Sequence, residues 1–140
     1  MDLKMIVLNE KCTPTRAYEG DAGIDLYANT NKLISIGQHQ TVLIPLGICL
    51  EIPYGNVGLL LPRSSISKSG LIIQGVIDAG YRNEIKALIH NITEVPYHIQ
   101  PHEKIAQILI VPITPIKTFQ FVDKLNESER GEKGFGSSGK

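Results

Sequence analysis

Gln40-Thr-Val-Leu-Ile-Pro-Leu-Gly-Ile-Cys-Leu-Glu-Ile-Pro-Tyr-Gly-Asn-Val-Gly-Leu-Leu-Leu61 is the stretch on which the fold of this chain turns. Three apolar runs, Gln40 to Ile44, Ile48 to Ile52 and Val57 to Leu61, are cut apart by Pro45-Leu-Gly47 and Pro53-Tyr-Gly55. Short runs rich in Ile, Val and Leu with such punctuation read as strands. Proline removes a backbone donor and glycine permits tight bends, so a long helix has no room. The same rhythm continues outward on both sides. Met5 to Leu8 precedes it, and Leu71 to Ile73, Glu84 to Asn91, Tyr97 to Gln100 and Ile105 to Val111 follow, closed by Pro112 to Pro115. The expectation is an all-β sandwich or barrel with at most one short helix, near Ser64 to Ser69. No internal repeat interrupts this pattern.

A chain of 140 residues is long enough for one domain with a true core. Fourteen basic residues balance fourteen acidic ones, which argues against a broad nucleic-acid surface and for local anion binding only. Cys12 and Cys49 have no metal-ligand spacing and no disulfide framework, so a reducing compartment is expected. Met1 to Leu8 holds only a short apolar run, so no signal peptide is expected, and no stretch approaches the length of a membrane span. These points lead to an intracellular chain, cytoplasmic or nuclear, with no membrane and no nucleic-acid partner.

Four segments are more polar than a scaffold requires. Arg130-Gly-Glu-Lys-Gly-Phe-Gly-Ser-Ser-Gly-Lys140 offers cations, hydroxyls and bare amides suited to phosphate oxygens, plus Phe135 to cap a flat base. A frayed terminus is the competing account. Gly134 to Lys140 fits the start of a P-loop, yet no magnesium-binding Ser or Thr follows and no strand leads in, so a P-loop is rejected. Asp21-Ala-Gly-Ile-Asp-Leu-Tyr27 reads as a close-approach turn entering a strand, with Asx-type caps as its plain explanation. Leu61-Pro-Arg-Ser-Ser-Ile-Ser-Lys-Ser-Gly70 sets Arg63 beside four serines at a strand end, a phosphate cradle or equally a helix cap.

The fourth segment, Gly75-Val-Ile-Asp-Ala-Gly-Tyr-Arg-Asn-Glu-Ile-Lys-Ala-Leu-Ile-His-Asn91, reads as a hairpin whose turn centres on Ala79-Gly80. Asp78 and Tyr81 then flank the bend. Asp78 serves either as a turn residue or as a positioned base.

Taken in order, these segments resemble the trimeric dUTPase family over nearly the whole chain. Asp21-Ala-Gly-Ile-Asp-Leu matches its first motif, Pro62-Arg-Ser-Ser the second and Gly75-Val-Ile-Asp-Ala-Gly-Tyr-Arg the third. Glu103-Lys-Ile-Ala-Gln-Ile-Leu matches the fourth and Arg130-Gly-Glu-Lys-Gly-Phe-Gly-Ser-Ser-Gly the fifth. The resemblance implies a jelly-roll-like distorted β-barrel over residues 1–129 and a flexible glycine-rich lid over 130–140. It implies a homotrimer with active sites at subunit interfaces, hydrolysing dUTP to dUMP and pyrophosphate with Mg2+.

By the same resemblance Asp78 activates the water that attacks the α-phosphorus, and Asp25 contacts the metal through water while the phosphates hold it. Arg63, Ser64, Ser65 and Gln107 take phosphates, and Gly75, Ile77, Tyr81 and Lys86 also bind the substrate. Uracil pairs with main-chain groups, and Tyr81 lies under the deoxyribose. Arg130, Phe135, Gly136, Ser137 and Ser138 close over the nucleotide. His39, His90, His98 and His102 show no ligand pattern and read as structural or exposed.

Some residues depart from the family pattern. Ser65 stands where Gly is frequent, Gly80 where an acid is frequent, Asn83 where Gly is usual and Ser138 where Thr is usual. Asn83 is expected to be tolerated because Asn accepts left-handed geometry. The nearest rival is a dCTP deaminase, which shares the Arg-Ser-Ser and Ile-Asp-x-Gly-aromatic features. That enzyme needs a Glu about ten residues past the Asp, where this chain has Leu88. A nucleotide-binding module without turnover would not need Asp78, and a purely structural jelly-roll would not need Arg63, Tyr81 and Phe135.

Overall fold

The structure is a computed structural model that describes residues 1–136, 138 and 139. Its strands are β1 (Lys4–Val7), β2 (Ile24–Tyr27), β3 (Ile34–Ile36), β4 (Thr41–Pro45), β5 (Ile48–Glu51), β6 (Asn56–Pro62), β7 (Leu71–Ile73), β8 (Gly75–Ile77), β9 (Lys86–Asn91), β10 (Tyr97–Ile99) and β11 (Lys104–Pro112). A 3-10 turn, Glu10–Cys12, follows β1, and one helix, α1 (Ser64–Lys68), follows β6. The fold is all-β with the single short helix where the serine run foretold it.

Among the described residues all strand pairs are antiparallel and fall into four sheets. The largest runs β2-β11-β6-β8 and the next β4-β9-β7, with β1-β5 and β3-β10 as two-stranded ribbons. Alternation along the strands explains the layering: β9 buries Ala87, Ile89 and Asn91 and turns Lys86 and Leu88 outward. In β5, Ile48 and Leu50 go inward, and in β6 Leu60 meets them in an aliphatic core with Leu26, Ile44 and Ile108. Nothing aromatic larger than a half-buried Tyr97 contributes to that core. All three phenylalanines of the chain, Phe119, Phe121 and Phe135, stand exposed beyond β11.

Two expectations need correction. The segment from Gly75 to Asn91 is not a paired hairpin: β8 pairs with β6, whereas β9 pairs with β4 and β7. Both edges of β9 are already filled, so β8 has no edge to join, and the chain between them crosses from one sheet to the other. The turn itself forms as read, closed by the Tyr81 amide donating to the Asp78 carbonyl at 3.0 Å. The second correction is Asn83, which does not use left-handed geometry. Among described non-glycine residues only His39 (φ 56°) and His102 (φ 59°) have positive φ. Gly80 has open space where a side chain would project, which accounts for an acid being acceptable there.

Beyond Pro112 the described chain forms no further strand or helix, and its residues are exposed. No helix among the described residues is long and apolar enough to cross a membrane.

Candidate active site

β11 lies between β2 and β6, and this brings three distant segments together. Gln107 faces Asp25 of β2 on one side and Leu61 of β6 on the other. A Cβ on Gly23 would meet the Gln107 amide oxygen, so the close approach read from the sequence is present and a larger residue there would displace the Gln107 side-chain end. Gln107 Nε2 in turn donates to the Pro62 carbonyl at 3.0 Å, fixing the strand end from which Arg63 springs. The result is a cavity of about 570 Å³ lined by Asp21, Gly23, Asp25, Arg63, Ser64, Ser65 and Gln107 among others.

The charges in this cavity are tied to one another. Arg63 Nε donates to Asp25 Oδ1 at 3.1 Å, and Lys104 Nζ lies 3.5 Å from Asp25 Oδ2. Lys104 also sits 5.8 Å from the centroid of the Tyr27 ring, whose hydroxyl meets Thr15 Oγ1 at 2.6 Å. Backbone bonds between Thr15 and Asp25 close this shell. The Asp21 carboxylate reaches back rather than forward, accepting from the Tyr18 amide at 3.0 Å while its own amide donates to the Tyr18 carbonyl at 3.1 Å, so it closes the preceding turn and is not the Asx-type cap expected. Ser64 and Ser65 open α1, with Arg63 as its extended N-cap residue.

Asp78 lies elsewhere on the chain. It lines a separate cavity of about 250 Å³ with Tyr54, Val57, Ala79, Ile113 and Ile116. Asp78 is exposed, and its carboxylate has no hydrogen-bond or ionic partner among the described residues. Its backbone, by contrast, is held. Arg82 Nη1 donates to the Ala79 carbonyl at 2.5 Å and to the Tyr81 carbonyl at 3.2 Å, while the Tyr81 hydroxyl donates to the Glu84 carbonyl at 3.1 Å. Gly75 and Ile77 are half-buried on β8, and Lys86 is exposed at the start of β9.

In the tail, Arg130 turns back on its own chain, donating to the Lys133 and Gly134 carbonyls at 3.0 Å each. Phe135 is fully exposed, Gly136 has φ 79°, and Ser138 is exposed. Ser137 lies outside the described residues. One chain therefore brings Asp25, Arg63, Ser64, Ser65 and Gln107 together, and leaves Asp78, Tyr81 and the described tail residues apart from them.

Three residues that matter to this geometry received no role from the sequence. Lys104 and Arg82 sit inside recognised motifs, but only the structure gives them partners. Glu84 follows the third motif with nothing to distinguish it from a surface acid. The histidines pair locally: His39 with Glu94, His90 with Thr41, His98 with Ser35 and His102 with Asn9. Among the described residues no three His, Cys, Asp or Glu side chains cluster to hold a metal.

The dUTPase family model matches residues 9–139. The chain belongs to the dUTPase family. It is 41% identical over 130 residues to the deoxyuridine 5'-triphosphate nucleotidohydrolase of Orientia tsutsugamushi (strain Ikeda), covering 90% of this chain and 87% of that relative. It is 38% identical over 144 residues to the relative of the same description in Corynebacterium glutamicum, covering 99% and 95%. Among solved structures, a variant of the Staphylococcus bacteriophage 80alpha dUTPase with dUpNHpp superposes with a TM-score of 0.87 at 31% identity, covering 99% of this chain and 98% of that one. A variant dUTPase from phage phi11 of S. aureus, described with a structural Mg(II) ion, gives a TM-score of 0.79 at 26% identity, covering 91% and 100%. The all-β body is thus the jelly-roll-like fold of dUTPases.

Proposed function

We propose that this chain, as a dUTPase, hydrolyses dUTP to dUMP and pyrophosphate at a site completed by other copies of itself in a homotrimer. The observation that carries the reading is the separation just described. Arg63, two serines and Gln107 converge on one cavity, while Asp78, an exposed carboxylate with no side-chain partner among the described residues, lines another. A second copy placing its Asp78 turn against the Arg63 cavity would complete the site. The exposed Phe119, Phe121 and Leu125 of the arm support the same assembly, since apolar side chains in such number favour packing on a partner.

In this reading Arg63, Ser64 and Ser65 take phosphate oxygens, with Gln107 holding the strand end beneath them. The lining pairs one Arg with two Asp, so it does not by itself offset a triphosphate. That deficit, and a half-buried Asp25 already engaged by Arg63 and Lys104, fit Mg2+ held chiefly by the nucleotide with Asp25 reaching it through water. When bound, the ion supplies neutralising charge to the phosphates and to the leaving pyrophosphate. Asp78 takes the proton of the attacking water. As the water oxygen bonds to the α-phosphorus, the bond to the bridging oxygen of the β-phosphate breaks and pyrophosphate departs. Phosphoryl transfer asks mainly for position and charge neutralisation, so an ordinary carboxylate is a sufficient base.

Gly75, Ile77 and Lys86 line the nucleoside side, with main-chain groups reading uracil and Tyr81 packing under the deoxyribose. Residues 130–140 form a lid distinct from the body at 1–129. Arg130, Gly136, Ser137 and Ser138 meet phosphates and Phe135 stacks on the base, shutting out all water but the nucleophile. The free thiols of Cys12 and Cys49 suit an intracellular compartment. The test is pyrophosphate release from dUTP with Mg2+ beside dCTP, dTTP and UTP, with ammonia followed in the dCTP reaction. Turnover of dUTP alone is expected. Ammonia from dCTP would establish a deaminase instead, against the Leu88 that stands exposed on β9.

A further inference from the structure

We infer that Glu84 is a positioning residue that sets selectivity for the deoxyribose by fixing Tyr81. The inference rests on the role given to Tyr81 in the proposed reaction. Glu84 is the point at which the crossing loop that starts at Asp78 returns to the body. Its carboxylate is half-buried, and one oxygen, Oε2, accepts both from Asn29 Nδ2 and from the Gly47 amide, each at 2.9 Å. These two partners come from different places, the segment after β2 and the bend between β4 and β5. Each is itself held. Asn29 accepts from Asn9 Nδ2 at 3.1 Å, and Gly47 has φ 71° with a Cβ position only 2.8 Å from Cys12 Cβ, so no other residue fits there. The next residue is locked as well, Ile85 donating to the Ile48 carbonyl and accepting from Leu46.

Residue 84 is therefore a fixed post, and the Tyr81 hydroxyl is tied to its carbonyl at 3.1 Å. A ring that bars a 2′-hydroxyl does so only while it cannot retreat. A ring free to swing by an ångström would admit the extra oxygen at small cost. The carboxylate of Glu84 touches no reacting group; it acts through the carbonyl that restrains the ring.

The experiment compares kcat/KM for dUTP and for UTP in the full-length protein, with oligomeric state and melting temperature recorded for each variant. Glu84→Ala is expected to lower the dUTP-to-UTP ratio about two- to tenfold, the range of one lost hydrogen bond. Tyr81→Phe is expected to do the same, and the double variant to fall no further than the larger single effect. Glu84→Gln keeps an acceptor oxygen for both donors and is expected to retain the ratio. An unchanged ratio in folded Glu84→Ala, or single effects that multiply in the double variant, would overturn the inference. If Glu84→Ala does not fold, Tyr81→Phe decides, and an unchanged ratio there overturns it. A wild-type protein that fails to turn over dUTP would instead bring down the reading beneath it, an outcome distinguishable from selective wild-type turnover with insensitive variants.

Discussion

At the Arg63 cavity the acidic and basic side chains are already engaged: Arg63 and Lys104 share Asp25, and Asp21 closes the turn before it. At the Asp78 turn the order is reversed, with the backbone pinned by Arg82 and Tyr81 and the carboxylate left free. In the proposed reaction the difference separates two tasks. A phosphate cradle needs donors held in place before the ligand arrives, because ordering them afterwards would cost affinity. A carboxylate that must accept a proton from water needs an open lone pair and a fixed support, and a protein partner would compete with the water.

The largest effect should come from the free side. Asp78→Asn removes no contact of the folded chain, so melting temperature should stay put while turnover of dUTP falls by roughly 10²–10⁴-fold, the usual worth of a positioned base. Turnover that survives unchanged would remove Asp78 from the mechanism. Deleting residues 130–140 removes no contact with either region among the described residues. It should cost about a hundredfold in turnover, the scale on which lost positioning acts, and leave a folded oligomer. Normal activity in the truncated protein would refute the lid. Phe135→Ala should weaken nucleotide binding by about 1–3 kcal/mol, as expected for one base–aromatic stack, and can be read as a rise in KM.

The smallest effect tests the body beneath the cradle. Glu103 precedes Lys104, and its Oε2 is buried with no partner among the described residues. Burial pushes its carboxyl pKa up. A raised carboxyl means that the native state holds its proton to higher pH than the unfolded chain does. Stability from this group is therefore present below the ordinary carboxylate value of about 4.3 and declines as pH rises through the window up to the raised value. Glu103→Gln should melt slightly higher than wild type at neutral pH, with the gain vanishing below that window. A gain that persists in acid would assign the effect to something other than the charge.

The strands were legible because aliphatic runs and Pro-Gly breaks follow directly from backbone chemistry. Each of the apolar runs from Met5 to Val111 became a strand to within a residue or two. Ile34–Ile36 escaped notice because three residues carry too little alternation to separate from a loop. Pairing was not legible, since a strand's sequence records which face is buried and not which neighbour fills its edge. This is why β8 and β9 read as partners and are not. Arg63, Ser64, Ser65 and Gln107 could be named from motifs, but the Arg63–Asp25–Lys104 arrangement depends on β11 running between β2 and β6. Glu84 was invisible because its partners, Asn29 and Gly47, lie far away in sequence.

The division of the site between copies is tested most directly by mixing two inactive variants. Asp78→Asn retains a sound Arg63 cavity, and Arg63→Ala retains a sound Asp78 turn. Equal amounts unfolded and refolded together should recover about a quarter of wild-type dUTP turnover if each site draws the two residues from different copies of a symmetric oligomer. Each variant refolded alone should recover none. A mixture that stays as inactive as its components, with mixed oligomers demonstrably formed, would contradict the shared site.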